Sequence, residues 1–181
     1  MKAKKQKLLL ILFLVASIIG VQSCNEDDNQ TCTDPDACTD ITSADGTCIF
    51  ICLTDSEKSR VTEFVATAIE HLNNTSQEEA FEAFDELNGN FVSEELYIFV
   101  MDMNATMLSH GFQHELIGQN LMDLQDIEGK YFIRDMFENI NQEGEGWTWY
   151  YWDDPVTNSV RKKFSFVKRF GDLVVGSGTY K

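Results

Sequence analysis

Apolar positions change their spacing several times along the chain, and each change marks an element. Val61, Phe64, Val65, Ala68, Ile69 and Leu72 recur at alternating steps of three and one, the stripe of a single helical face, so a helix is predicted over 56–72. Asn73-Asn74-Thr75 breaks it. Ser76 with Glu79 then forms a Ser-x-x-Glu capping box ahead of Phe81, Phe84 and Leu87, which predicts a second, short helix ending at Asn88-Gly89-Asn90. Over 95–102 the period falls to two, with apolar residues on both faces, as in a strand covered from both sides. Thr106 to His110 reads as its partner and 111–128 as a loop. Phe132, Ile133, Met136, Phe137 and Ile140 mark a helix within 129–141 that Gly144 closes. Three strands finish the chain at about 146–153, 162–170 and 172–177, the last two joined by a tight turn at Gly171. Helices first, then a mostly antiparallel sheet with one inserted helix, predict an α+β domain over 55–181.

The first 54 residues read differently. Lys2, Lys4, Lys5 and Lys7 precede an apolar run from Leu8 to Val21, whose 14 residues are too few to cross a bilayer as a helix and suit an export signal over 1–23. Val21-Gln22-Ser23-Cys24 resembles the lipobox of bacterial lipoproteins, which implies acylation at Cys24 and a lipid anchor in the cell envelope, at the outer membrane or surface of a Gram-negative cell. The stretch 24–54 is rich in Asp, Asn, Thr and Cys and reads as a stalk. Its remaining cysteines, Cys32, Cys38, Cys48 and Cys52, are even in number and belong to an exported chain, so two disulfides are expected, with three connectivities open. Part of the stalk resembles a short cysteine-and-aspartate module of secreted bacterial proteins. No metal site is expected, since the cysteine spacings lack the pairs and histidines of zinc sites.

Charge narrows the function. Of 181 residues, 30 are acidic and 14 basic, and four of the basic ones lie in the leader, which leaves the remainder at −20. Such a field repels phosphate backbones, so no nucleic-acid partner is expected. No Gly-x-Ser-x-Gly elbow is present and Gly176-x-Gly178 ends a strand instead of opening a helix, so neither catalysis nor a cofactor is expected.

Several segments in order resemble the single Cache domain, an extracellular sensor module of bacterial receptors. They are Leu96-Tyr97-Ile98-Phe99-Val100-Met101-Asp102, Met107-Leu108-Ser109-His110, Leu116-Ile117-Gly118-Gln119-Asn120-Leu121 and Gly129-Lys130-Tyr131-Phe132, followed by the aromatic run from Gly146 to Thr157, then Lys163 to Lys168 and Val175 to Tyr180. The resemblance implies a PAS-like fold, with a long N-terminal helix on the sheet and one small ligand, often a short carboxylate, held between the sheet and the inserted loop and helix. Lys163 is the candidate cation, His110 a candidate donor, and Tyr97, Phe132, Trp147 and Tyr150 the candidate walls. Gly111 stands where the family commonly has Pro, Asn104-Ala105 where it has an acidic-Gly turn, and Phe166 where it has Tyr, a change that removes a hydroxyl expected to meet a ligand oxygen. The expected function is that of a lipid-anchored, extracytoplasmic binding protein that captures a small molecule and passes its state to, or presents it to, a separate signalling or transport partner. The alternative is a surface adhesion module with a vestigial pocket.

Overall fold

A computed structural model of the chain describes residues 38–42 and 48–181, and from 38 to 51 only the backbone. The leader, Cys24 and Cys32 lie outside the described residues. Within the stalk, β1 (Cys38–Thr42) and β2 (Cys48–Cys52) pair antiparallel, with Cys38 directly across from Cys52. Side-chain composition had hidden this hairpin.

The core begins at Leu53. Helix α1 (Asp55–Asn74) starts at Thr54, whose hydroxyl accepts from the Glu57 N–H while the Glu57 carboxylate accepts from the Thr54 N–H, a reciprocal cap worth about 1 kcal/mol. Helix α2 (Gln77–Asp85) has the same device in Ser76 and Glu79. The stretch expected as one strand splits at Ile98. Its first part, β4 (Leu96–Tyr97), pairs with β3 (Val92–Ser93), and its second, β5 (Phe99–Asp102), joins the main sheet with β6 (Met107–His110). After a loop containing a single 3-10 turn at His114–Leu116, helix α3 (Phe132–Glu143) ends at Gly144, which takes a left-handed conformation with φ of 78°. Strands β7 (Glu145–Asp154), β8 (Ser159–Phe170) and β9 (Leu173–Tyr180) complete a five-stranded sheet in the order β6-β5-β9-β8-β7, antiparallel throughout.

Alternation along these strands separates two cores. Val61, Val65 and Leu72 of α1 and Phe84 of α2 pack with Ile98, Val100, Phe164, Phe166 and Val175 on one face. On the other face α3 and the loop residue Leu121 pack with Phe99, Met101, Tyr150, Val167 and Val174. Each large side chain fully buried in this way stabilises the fold by about 1.5–3 kcal/mol. The second face is the one that carries the chemistry.

Candidate functional site

The strand register sets the site. On the α3 face Tyr150, Lys163 and Tyr180 lie side by side in one row across β7, β8 and β9, and Val167, Gly176, Phe99 and His110 form a parallel row. Two glycines of β9 make the room. A Cβ on Gly176 would stand 2.3 Å from the Phe99 ring, and one on Gly178 would stand 2.4 Å from Ser165 Oγ and 2.9 Å from Lys163 Cε. Gly176 thus admits the Phe99 ring, and Gly178 admits the stem of Lys163.

Lys163 is 1% exposed. Its Nζ sits 3.7 Å from the centre of the Tyr97 ring, 5.4 Å from that of Tyr180 and 5.7 Å from that of Phe99. Among the described residues no carboxylate oxygen comes within 4 Å of it. Asp154, whose charge favours the ammonium form, is itself engaged by Arg161 at 2.7 Å, the Val156 N–H at 2.8 Å and the Thr157 hydroxyl at 2.9 Å. Burial therefore dominates and pushes the Lys163 pKa well below the ordinary lysine value. Burial also raises the pKa values of Tyr97, Tyr150 and Tyr180, so the three phenols stay protonated. Tyr150 and Ser165 share a hydrogen bond of 3.0 Å, and the Tyr180 hydroxyl donates to the Asp153 carbonyl at 2.7 Å.

His110 is fixed from its backbone and its ring. Its N–H donates to Asp85 at 2.9 Å, and its Nδ1 accepts from the Gln113 N–H at 2.8 Å and the Phe112 N–H at 3.3 Å. A ring nitrogen that accepts carries no proton, which assigns the proton of the neutral ring to Nε2. Burial, helped by the charge of Lys163, holds the His110 pKa down at about 3, so the ring is a neutral donor at physiological pH.

A small cavity lies beside these groups, lined by Phe99, His110, Tyr150 and Trp152, by Phe132, Ile133 and Met136 of α3, by Met107, and by the loop residues Leu116, Leu121 and Leu124. Its free volume is about 20 Å³, room for a single water. A larger guest requires the loop leucines and the flexible methionines to give way. Phe132 stacks on Tyr150 with centroids 4.0 Å apart, and Trp152 meets both rings edge-on. The loop over the cavity is tied at two sides. Asp126 accepts from the N–H groups of Glu128 and Lys130 within the loop and from Tyr151 on β7, while Met107 exchanges backbone hydrogen bonds with Gly118 and Gln119.

Of the six residues singled out in the sequence, the structure brings His110, Phe132 and Tyr150 to the cavity wall and packs Tyr97 and Lys163 against each other outside its lining. Trp147 is a correction. It lies on the opposite face of β7 from Tyr150, because positions three apart on a strand have opposite parity, and it packs on Phe166 with centroids 5.4 Å apart. Phe166 is corrected by the same parity: it faces α1, so a missing hydroxyl there does not reach the ligand side. Sequence reasoning passed over Tyr180, Ser165 and the loop leucines. The usable signal was the spacing Gly176-x-Gly178-x-Tyr180, three same-facing positions of which two lack side chains.

The model of the family described as single Cache domain 2 matches residues 58–181. A methyl-accepting chemotaxis protein from Vibrio parahaemolyticus is 25% identical with a TM-score of 0.59, over 70% of this chain and 89% of that one. A periplasmic sensor domain of a chemotaxis protein is 25% identical with a TM-score of 0.56, over 70% and 99%. A Cache chemosensory domain solved for its recognition of carboxylic acids is 26% identical with a TM-score of 0.56, over 71% and 99%. Sequence match, fold and the buried site between sheet, loop and helix agree: the chain belongs to the single Cache family of extracytoplasmic sensory domains.

Proposed function

We propose that the protein is a lipid-anchored sensor-type binding protein, held in the cell envelope through Cys24, that captures a short monocarboxylate between the sheet and the loop over 111–131. Lys163 is the observation that carries this reading: a buried amine with no protein carboxylate beside it lacks an anion to hold its charge, and an acid supplies one. Its ammonium and the Nε2–H of His110 are the donors for the carboxylate. Apart from His110 the residues that line the cavity are apolar or aromatic, with no second cation for a dicarboxylate and no acidic side chain for the ammonium of an amino acid. The similar domain that recognises carboxylic acids supports the same ligand class.

Occupancy reaches a partner through β9. That strand carries Gly176, Gly178 and Tyr180, and beyond its end Lys181 pairs with Glu57 at 2.6 Å, at the start of α1 where the stalk joins. A guest that displaces the floor of the site therefore acts on the start of α1, the point from which the stalk leads away in sequence. The protein hands its state to a separate signalling or transport protein and performs no catalysis itself.

The test is a thermal-shift panel of propionate, pyruvate, succinate, alanine and propionamide against the purified chain. A monocarboxylate at about 100 times its dissociation constant adds about 2.7 kcal/mol and raises the melting temperature visibly. An acid of about six heavy atoms is expected to bind no tighter than micromolar. No shift with any member at millimolar concentration rejects the reading and favours an adhesion module whose cavity stays closed.

A further inference from the structure

We propose that the ligand site is also a proton-binding site: the amine caged by Tyr97, Phe99 and Tyr180 takes up one proton as a carboxylate binds beside it. This rests on the carboxylate reading above, but its basis is the cage. Three aromatic rings surround Nζ, Gly178 leaves the room its stem occupies, and no carboxylate lies within ion-pair distance among the described residues.

The titratable groups facing the amine leave it as the one whose charge is poised to change. From β4 Tyr97 faces it, from β7 Tyr150, and from β9 Tyr180, all held protonated by burial. From β6 comes His110, held neutral with a pKa of about 3. At the end of β7 stands Asp154, kept ionised by Arg161 and by the amides of its turn. Ring faces offset only part of the cost of a buried ammonium, and Lys163 accordingly releases its proton more readily than an exposed lysine. A carboxylate arriving beside the amine reverses that balance, because an anion in a low-dielectric site favours the charged form. The guest and the proton then enter as a neutral pair. Linkage makes the coupling reciprocal: once pH exceeds the pKa of the free amine, affinity for the acid falls tenfold per pH unit.

The test is calorimetric titration with propionate at several pH values from about 7 to 10, at each pH in two buffers whose ionisation heats differ, read at the pH of greatest uptake. The expected result is uptake approaching one proton per propionate in the parent protein and none in Lys163→Arg, whose guanidinium stays charged. Propionate binding with no proton uptake in the parent protein overturns the proposal and leaves the carboxylate reading standing. Should propionate fail to bind, the carboxylate reading falls, and the proton site is decided by NMR titration of the chain carrying 13Cε-lysine. A Lys163 resonance that titrates below the other lysines supports it, and one that titrates with them overturns it.

Discussion

Replacing Lys163 by Met keeps an unbranched stem in the groove above Gly178 and removes the charge from the Tyr97 cage. In the parent protein the Lys163 amine is 1% exposed and has no carboxylate within 4 Å among the described residues, so folding must either strip an unpaired charge of its hydration or release its proton, and both cost stability. Exchanging buried charge for apolar volume commonly stabilises by about 1–4 kcal/mol. In a domain of this size each 1 kcal/mol raises the melting temperature by roughly 3–5 °C. The dependence on pH follows from the lowered pKa of Lys163. Between that lowered value and the ordinary one near 10.5 the unfolded chain holds more protons than the folded one, so the stability of the parent protein rises with pH through this window. In Lys163→Met that rise is absent. The same substitution removes the partner of the acid, and loss of one member of a buried charged pair costs about 2–5 kcal/mol of binding, at least thirtyfold in affinity. Urea unfolding at several pH values and propionate titration measure the two effects. A variant destabilised by more than about 2 kcal/mol that still binds the acid refutes the reasoning, since the ammonium would then be satisfied within the fold.

Acid stability has its own signature. The unfolded His110 takes a proton near pH 6.5, but the buried ring waits until about 3, so stability falls as pH drops through that interval, by on the order of 5 kcal/mol at most. In His110→Gln this contribution to acid unfolding, followed by circular dichroism, is absent. Asp126→Ala strips the acceptor from three backbone N–H groups, which costs about 1–3 kcal/mol and speeds hydrogen exchange at Glu128, Lys130 and Tyr151 while amides of β8 and β9 keep their protection. In the stalk, the register sets Cys38 opposite Cys52, so a link between those two is the expected disulfide. Peptide mapping without reductant is expected to recover that link, and a Cys48–Cys52 link would count against the hairpin.

How far the sequence alone reaches depends on the distance over which each feature is decided. Both N-terminal helices, α3 and its Gly144 stop, and the final three strands are written in spacings and caps a few residues long, and all were legible. So was the succession of segments that points to the Cache fold. The split at Ile98 was not, because an apolar run with two covered faces reads the same whether it serves one sheet or two. Trp147 is separable from Tyr150 by strand parity alone, whereas a match by family position groups the two together. Tyr180 and Ser165 depend on register between strands, and the contact of Lys163 with Tyr97 spans 66 positions, so no local pattern announces it. Gly176 and Gly178 were visible, but their service as empty space becomes legible only once Phe99 and Lys163 lie over them.

The most direct measurement is a high-resolution structure of the protein grown with propionate. The expected result is a carboxylate within hydrogen-bonding distance of both Lys163 Nζ and His110 Nε2, with the apolar tail toward Met136 and the loop leucines moved outward. A map in which the acid lies elsewhere, or in which Leu116, Leu121 and Leu124 remain closed over a space too small for it, would contradict the assignment.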